Sequence, residues 1–105
     1  MTAYQHLSHD ELRHLMTTVA NLQLIDVRTS NEFHTLGHIA GSRCLPVQEI
    51  QQWAGTLDPT CPTVCLCQGG VRSVYACDYL AEQAGFRTLY NSTEGMNTWD
   101  GEVVF

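Results

Sequence analysis

The segment TVCLCQGGVRS, residues 63–73, constrains what this chain can fold into more than any other part of the sequence. Its apolar first half is typical of a buried strand, and from Arg72 onward the apolar residues recur with the period of a helix. The two glycines between these halves permit backbone angles that other residues avoid, so the chain can turn sharply there. A strand that passes through a short turn into a helix predicts a parallel α/β fold.

The rest of the chain alternates between helices and strands in the same way. A helix is predicted over residues 8–19, where Ser8 and Glu11 form a capping box before four apolar positions: Leu12, Leu15, Met16 and Val19. Further helices are predicted after residues 29–33, at 47–57 behind Pro46, at 72–84 before a stop at Gly85, and around Met96 and Trp99. Strands are predicted at 22–28, 43–45, 63–67 and 86–91. This order predicts a central parallel sheet of about five strands with helices on both faces.

Size and charge restrict the class of protein. The 105 residues, 44% of them hydrophobic, suffice for one modest core, so we expect a single domain over residues 1–105. The formal net charge of −6 argues against a nucleic-acid partner or an acidic membrane surface. No stretch approaches the ~20 apolar residues of a membrane span, and we find no targeting signal. The odd count of 5 cysteines does not suit a secreted disulfide framework, so we expect a cytoplasmic protein with a free thiol.

Cys67 is the predicted catalytic residue. In parallel α/β folds, ligands collect beyond the carboxyl ends of strands, and Cys67 lies at such an end. The amides of a tight turn over Gln68, Gly69, Gly70 and Val71 can point inward as an anion nest, next to the positive end of the following helix. Such groups lower the pKa of a thiol, so Cys67 is predicted to be a thiolate nucleophile that needs no histidine base. The alternative is a buried structural cysteine beside an ordinary turn.

Three motifs resemble those of rhodanese-type sulfurtransferases. CQGGVRS resembles their active-site loop, C-x-x-G-x-R-S, and DVRTSNEFHTLGHIAGS resembles their other signature, D-V-R-x-x-x-E-F followed by G-H-I-x-G-S. EGMNTW resembles a third element that usually has two glycines before a tryptophan, with Glu94 in place of the first glycine. The likeness covers residues 24–104 and implies a rhodanese-like domain. Its active-site loop would comprise Cys67, Gln68, Gly69, Gly70, Val71 and Arg72.

The resemblance implies a double-displacement cycle without a cofactor or metal. Cys67 would take the outer sulfur of thiosulfate, release sulfite, and carry the sulfur as a persulfide to cyanide, a cellular thiol or a sulfur-accepting protein. Four residues separate Cys67 from Arg72, whereas the related phosphatases and arsenate reductases have five and enclose a tetrahedral anion. The loop length therefore favours sulfur transfer. A sulfur carrier or regulatory module with slow turnover is the alternative.

Charged residues near the predicted site are interpreted as structural. Asp26 and Arg28, at a strand end, predict a buried ion pair or loop brace, since buried charges need partners. Glu32 and His38 belong to the upstream signature, and we interpret them in the same way. For Arg72 we expect bracing of the loop to outweigh contact with the sulfur donor, because a guanidinium fork suits carboxylate and backbone oxygens.

The remaining candidates receive no role in catalysis. Solvated surroundings are predicted for His6, His9, His14 and His34. Zinc is set aside because the cysteine spacing lacks paired C-x2-C knuckles. Cys65 is predicted in the strand core, Cys77 on the buried stripe of a helix, and Cys44 and Cys61 in exposed connections. Trp53, Trp99 and the tyrosines are predicted to be packing anchors.

Overall fold

Five parallel strands form the single sheet of the computed structural model, which describes residues 3–105. The strands are β1 Gln5–Leu7, β2 Gln23–Asp26, β3 Arg43–Cys44, β4 Thr63–Leu66 and β5 Leu89–Ser92. Their order across the sheet is β1-β5-β4-β2-β3, and every pairing is parallel. The predicted α/β class and the expected sheet of about five parallel strands are therefore confirmed, although the sequence predicts the positions of only four of the strands.

Helical segments connect the strands. The α-helices are α1 His9–Thr18, α2 Ser30–Thr35, α3 Ile50–Trp53 and α4 Val71–Gln83, and short 3-10 turns cover Val47–Glu49, Ala54–Thr56 and Gly95–Thr98. The helix predicted behind Pro46 is thus three short pieces, and Trp99 directly follows the last turn. Gly85, at φ +75°, lies just beyond α4 and ends it as predicted. Within residues 3–105, no helix is both long and apolar enough to cross a membrane.

Capping boxes close the first turns of α1 and α2. In α1, the hydroxyl of Ser8 accepts a hydrogen bond from the Glu11 amide, and the Glu11 carboxylate accepts one from the Ser8 amide, as predicted. Thr29 and Glu32 repeat this arrangement at α2. The second box fixes the Glu32 side chain at the start of a helix, where it is available for a further partner.

Apolar side chains pack on both faces of the sheet, as predicted. On one face, α3 and α4 contribute to a core that includes Ile25, Val27, Ile50, Trp53, Cys65, Cys67, Ala76, Cys77, Leu80 and Leu89. On the other face, α1 contributes to a smaller cluster of Leu7, Leu12, Leu24, Ile39, Val64 and Leu66. Met16, predicted in the buried stripe of α1, is 36% exposed, because only the side of the helix that carries Leu12 faces this smaller core.

The sequence predicts no strand where β1 lies. Its three residues pair with Tyr90, Asn91 and Ser92 of β5. Only Leu7 of the three is buried. So short an edge strand shows no apolar alternation, and its pairing with a distant segment decides its conformation.

Candidate active site

Cys67 lies directly after β4, at the carboxyl edge of the sheet. The chain then passes through Gln68, Gly69 and Gly70 and enters α4 at Val71. Gly70 adopts φ +90°, in the left-handed region that favours glycine, immediately before the helix. The predicted loop is therefore a tight turn onto a helix N-terminus, at the edge of the sheet where α/β folds bind ligands.

The sulfur of Cys67 faces this turn. The Gly70 amide donates a hydrogen bond to Sγ over 3.0 Å, and the hydroxyl of Ser73 lies 3.4 Å from Sγ. Ser73 is in the first turn of α4 and is fully buried. No role for Ser73 is predicted from the sequence, although it is the last residue of the C-x-x-G-x-R-S motif.

These contacts favour the thiolate form of Cys67. Burial raises the pKa of this thiol, but hydrogen bonds from the side chain and amide of Ser73 and from the amides of Gly70 and Gly69 oppose it. The net result is a pKa below the ordinary value for cysteine. The positive end of α4 also favours an anion at this position. Of the amides predicted to face the sulfur, those of Gly69 and Gly70 do so, and Ser73 adds its own amide and a hydroxyl donor.

The 3-10 turn of residues 95–98, which we call the 95–98 turn, holds the loop on its carbonyl side. The amides of Met96 and Asn97 donate to the carbonyl oxygens of Cys67 and Gln68 over 2.8 and 2.9 Å. Gly95, at φ +62°, permits this close approach, since a Cβ there would lie 2.7 Å from the Gln68 carbonyl oxygen. With its carbonyls held on this side, the loop presents amides to the sulfur on the other.

Glu94 stands where the related motif usually has a glycine. Its backbone is right-handed, at φ −87° and ψ −20°, and its side chain is exposed. Any residue adopts this conformation, so the replacement leaves the turn intact. The glycine that this turn requires is Gly95.

Arg72 braces the loop through an ion pair with Glu32. Its two terminal nitrogens bind the two carboxylate oxygens over 2.6 and 2.9 Å, which is the bidentate geometry of a strong pair. The contact with Arg72 lowers the pKa of Glu32 to about 2, although burial opposes the shift. The pair connects the first turns of α2 and α4, as expected for a structural role of both residues.

Arg28 lies at the centre of a second, fully buried network. It forms an ion pair with Asp26 over 2.7 Å, and both side chains are inaccessible to solvent. The nitrogen of this ion pair, Nη2, also donates to the carbonyl oxygen of Gly37 over 2.8 Å, and Nη1 donates to the side-chain oxygen of Gln68 over 3.0 Å. The predicted ion pair is confirmed. Through its bond to Gln68, Arg28 also connects this buried network to the active-site loop.

The histidines divide into exposed and structural residues. His6, His14 and His34 are exposed, as predicted. His38 stacks on Phe33 with ring centroids 3.5 Å apart, which confirms a structural role. For His9 the prediction is wrong: it is 9% exposed, and its Nε2 lies 3.0 Å from the carbonyl oxygen of Gly95. The start of α1 packs against the 95–98 turn, which helical periodicity does not reveal.

All five cysteines are free thiols. Cys65 and Cys77 are fully buried, and contact with Cys77 together with burial raises the pKa of the Cys65 thiol well above its usual value. Such a thiol is protonated and unreactive. Cys44 and Cys61 were expected in exposed connections but are half-buried, since one lies in β3 and the other just before β4. Among residues 3–105, no three His, Cys, Asp or Glu side chains are grouped as metal ligands.

One aromatic prediction is wrong. Trp53 is buried and Trp99 packs against the smaller core. Tyr75, however, is 59% exposed, because it lies on the outer side of α4. It lines a groove of about 480 Å³ beside the loop, together with Val47, Gln48, Ile50, Gln51, Val71 and Arg72.

Comparison with known proteins identifies the family. Residues 8–102 match the sequence model of the rhodanese-like domain. The chain belongs to this family. This rhodanese-like domain is 34% identical over 99 residues to the thiosulfate sulfurtransferase GlpE of Shewanella oneidensis, which covers 94% of this chain and 95% of the relative. It is 35% identical over 99 residues to the putative sulfurtransferase YtwF of Bacillus subtilis, with 94% and 93% covered.

The fold agrees with solved structures of the family. A rhodanese-like domain protein from Staphylococcus aureus superposes with a TM-score of 0.81 at 27% identity, over 96% of this chain and 99% of that one. The resemblance drawn from the three motifs is therefore confirmed, both for the family and for the fold.

Proposed function

We propose that this rhodanese-like domain transfers sulfane sulfur from thiosulfate or a related donor to a thiophilic acceptor through a persulfide on Cys67. The observation that carries the proposal is the position of Sγ, 3.0 Å from the Gly70 amide and 3.4 Å from the Ser73 hydroxyl, at the N-terminus of α4. The hydrogen bonds to Sγ also lower the pKa of this thiol below the ordinary value for cysteine, which favours the thiolate form. Sulfurtransferase relatives that align over nearly the whole chain support the reaction class.

In the first step, the Cys67 thiolate attacks the outer sulfur of thiosulfate. A new S–S bond forms at Cys67, the sulfur–sulfur bond of thiosulfate breaks, and its electron pair leaves with sulfite. The product is a Cys67 persulfide anion, so total charge is conserved. The amides of Gly69, Gly70 and Ser73 surround the site where this negative charge remains.

In the second step, an acceptor removes the outer sulfur. Cyanide attacks it to give thiocyanate, or a thiolate attacks it to give a new persulfide, and the electron pair of the S–S bond returns to Cys67. Neither step changes the charge of the loop, since Cys67 begins and ends as an anion. The amides that stabilise the first intermediate therefore also stabilise the leaving thiolate.

Mass spectrometry of the intact protein tests the intermediate. After incubation with thiosulfate and desalting, we expect a gain of one sulfur atom that cyanide discharges. Cys67→Ser should gain none, whereas Cys44→Ser and Cys61→Ser, which alter the two half-buried thiols, should load like the natural protein. Sulfur that persists in Cys67→Ser, or an absence of loading with every donor offered, would contradict the proposal.

One observation favours a second candidate, a sulfur carrier with slow turnover of thiosulfate. Arg72 is the only basic residue of segment 67–73, and both of its terminal nitrogens already bind Glu32. A free dianion therefore meets no unpaired cation within this segment, which favours a donor delivered by a partner. Steady-state assays separate the candidates: an enzyme forms many equivalents of thiocyanate, and a carrier loads once and stops.

A further inference from the structure

We propose that His9 is a positioning residue for Cys67, which acts by holding the 95–98 turn against the carbonyl side of the active-site loop. This inference rests on the proposed function in one respect only, namely the measurement of persulfide formation from thiosulfate. His9 lies at the start of α1, 86 positions before Gly95 in the chain and outside the three motifs that resemble those of sulfurtransferases.

The contact between His9 and Gly95 is specific and buried. His9 is 9% exposed, and its Nε2 lies 3.0 Å from the carbonyl oxygen of Gly95. Because a carbonyl oxygen only accepts hydrogen bonds, Nε2 is the donor. The ring also packs edge-on against Trp99, with centroids 5.2 Å apart and planes at 82°. Two contacts therefore fix both ends of the 95–98 turn to α1.

Gly95, the residue that His9 holds, is tightly confined by its neighbours. Gly95 is buried, adopts φ +62°, and leaves no room for a Cβ against the carbonyl oxygens of Cys67 and Gln68. The next amide, from Met96, donates to the Cys67 carbonyl over 2.8 Å. A displacement of Gly95 therefore passes directly to the backbone of Cys67.

The amides around Sγ keep their orientation because the carbonyl groups of the loop are held on its opposite side. The carbonyls of Cys67 and Gln68 are held by the 95–98 turn. The Gln68 carbonyl shares its peptide group with the Gly69 amide, which stabilises the Cys67 thiolate. The Gly70 amide, which donates to Sγ, lies one peptide further along. If the turn moves away, these peptide groups lose the bonds that set their orientation. The Gly70 amide then no longer stays aligned with the sulfur, and the anionic forms of Cys67 lose stabilisation.

The test compares His9→Phe, which keeps a buried ring but has no donor, with His9→Gln, whose side-chain amide can donate near the position of Nε2. Alkylation of Cys67 by iodoacetamide across a pH series reports its thiolate fraction without any sulfur donor. In His9→Phe we expect the midpoint to shift upward by about 0.5 pH unit or more, the equivalent of one neutral hydrogen bond. Persulfide formation from thiosulfate should slow by about three- to tenfold. In His9→Gln, the alkylation midpoint should return close to that of the natural protein, and the rate of persulfide formation should lie within about twofold of the natural rate.

His14→Phe is the matched control, since His14 lies on the same helix and its side chain is exposed. It should match the natural protein in both measurements. An unchanged alkylation midpoint in His9→Phe, or equal impairment of His9→Gln and His9→Phe, overturns the proposal, even if melting temperatures fall. If His9→Phe does not fold, His9→Asn replaces it as the variant without the hydrogen bond, because its amide is too short to reach Gly95. It is then compared with His9→Gln in the same two measurements. If the natural protein takes no sulfur from thiosulfate or from any other donor offered, the proposed function fails while the alkylation series still decides the role of His9.

Discussion

Gly70 packs so closely against the carbonyl oxygen of Thr93 that a Cβ at position 70 would overlap it. Gly70 also has φ +90°, whereas Gly69 has open space around the position of a Cβ. The two glycines of the loop therefore have different tasks. Gly70 allows both the turn and the close contact with Thr93, which directly follows β5, and Gly69 has neither restriction.

The first prediction compares alanine at these two positions. Gly70→Ala should lower the free energy of unfolding by about 1–2 kcal/mol or more, because it combines a left-handed residue with a steric overlap. Gly69→Ala should change it by about 0.5 kcal/mol or less. Urea unfolding measures both values, and alkylation of Cys67 shows whether the loop keeps its shape. Equal effects of the two substitutions would refute this division of tasks.

The second prediction concerns the hydroxyl of Ser73. Ser73→Ala removes a donor that stabilises the thiolate, so the pKa of Cys67 should rise. The loss of one hydrogen bond to a charged group predicts a thiolate fraction at neutral pH that falls by about tenfold. Alkylation rates across pH measure this fraction. Ser30→Ala, at an exposed position in α2, is the control and should leave the rates unchanged. A Ser73→Ala variant with the natural pH profile would remove Ser73 from the site.

The third prediction concerns the pH dependence of stability. The pKa of Glu32 is lowered from 4.5 to about 2 in the folded protein, mainly by Arg72. Its ion pair therefore contributes stability that is fully present above pH 4.5 and is lost as the pH falls toward about 2. Glu32→Gln lacks this contribution.

Urea midpoints measured between neutral and acidic pH test this dependence. The gap between the natural protein and Glu32→Gln should be widest above pH 4.5 and should narrow as the pH falls toward about 2. Glu82→Gln, at an exposed position of α4, controls for the loss of one carboxylate. A gap that stays constant across this pH range would show that the ion pair does not set the pKa of Glu32.

The fourth prediction concerns the buried ion pair. Asp26→Asn leaves the charge of Arg28 buried without its counter-ion, so the free energy of unfolding should fall by about 3–5 kcal/mol. Asp10→Asn is the control, because Asp10 pairs with Arg13 at the surface with its side chain 95% exposed. An exposed pair contributes about 1 kcal/mol or less. Similar losses in the two variants would mean that burial of Arg28 is not the cause.

The local features of this protein could be predicted from its sequence. The Ser8 and Glu11 capping box, the turn at residues 67–70 and the stop of α4 at Gly85 each depend on residues a few positions apart. Contacts between near neighbours leave a recognisable pattern in the sequence, because a particular residue type at a fixed offset satisfies a particular backbone group. The motifs also placed Cys67 at a strand end and the chain in its family.

Other features depended on contacts between distant segments. The strand β1 exists because it pairs with β5, and His9 is buried because α1 packs on the 95–98 turn. The bond from Arg28 to Gln68 likewise joins positions 40 residues apart. No local sequence pattern predicts such contacts, because tertiary packing, and not the spacing along the chain, decides which residues meet. The sequence by itself therefore determined which sulfur lies in the turn, and the tertiary structure decided which residues hold that turn around it.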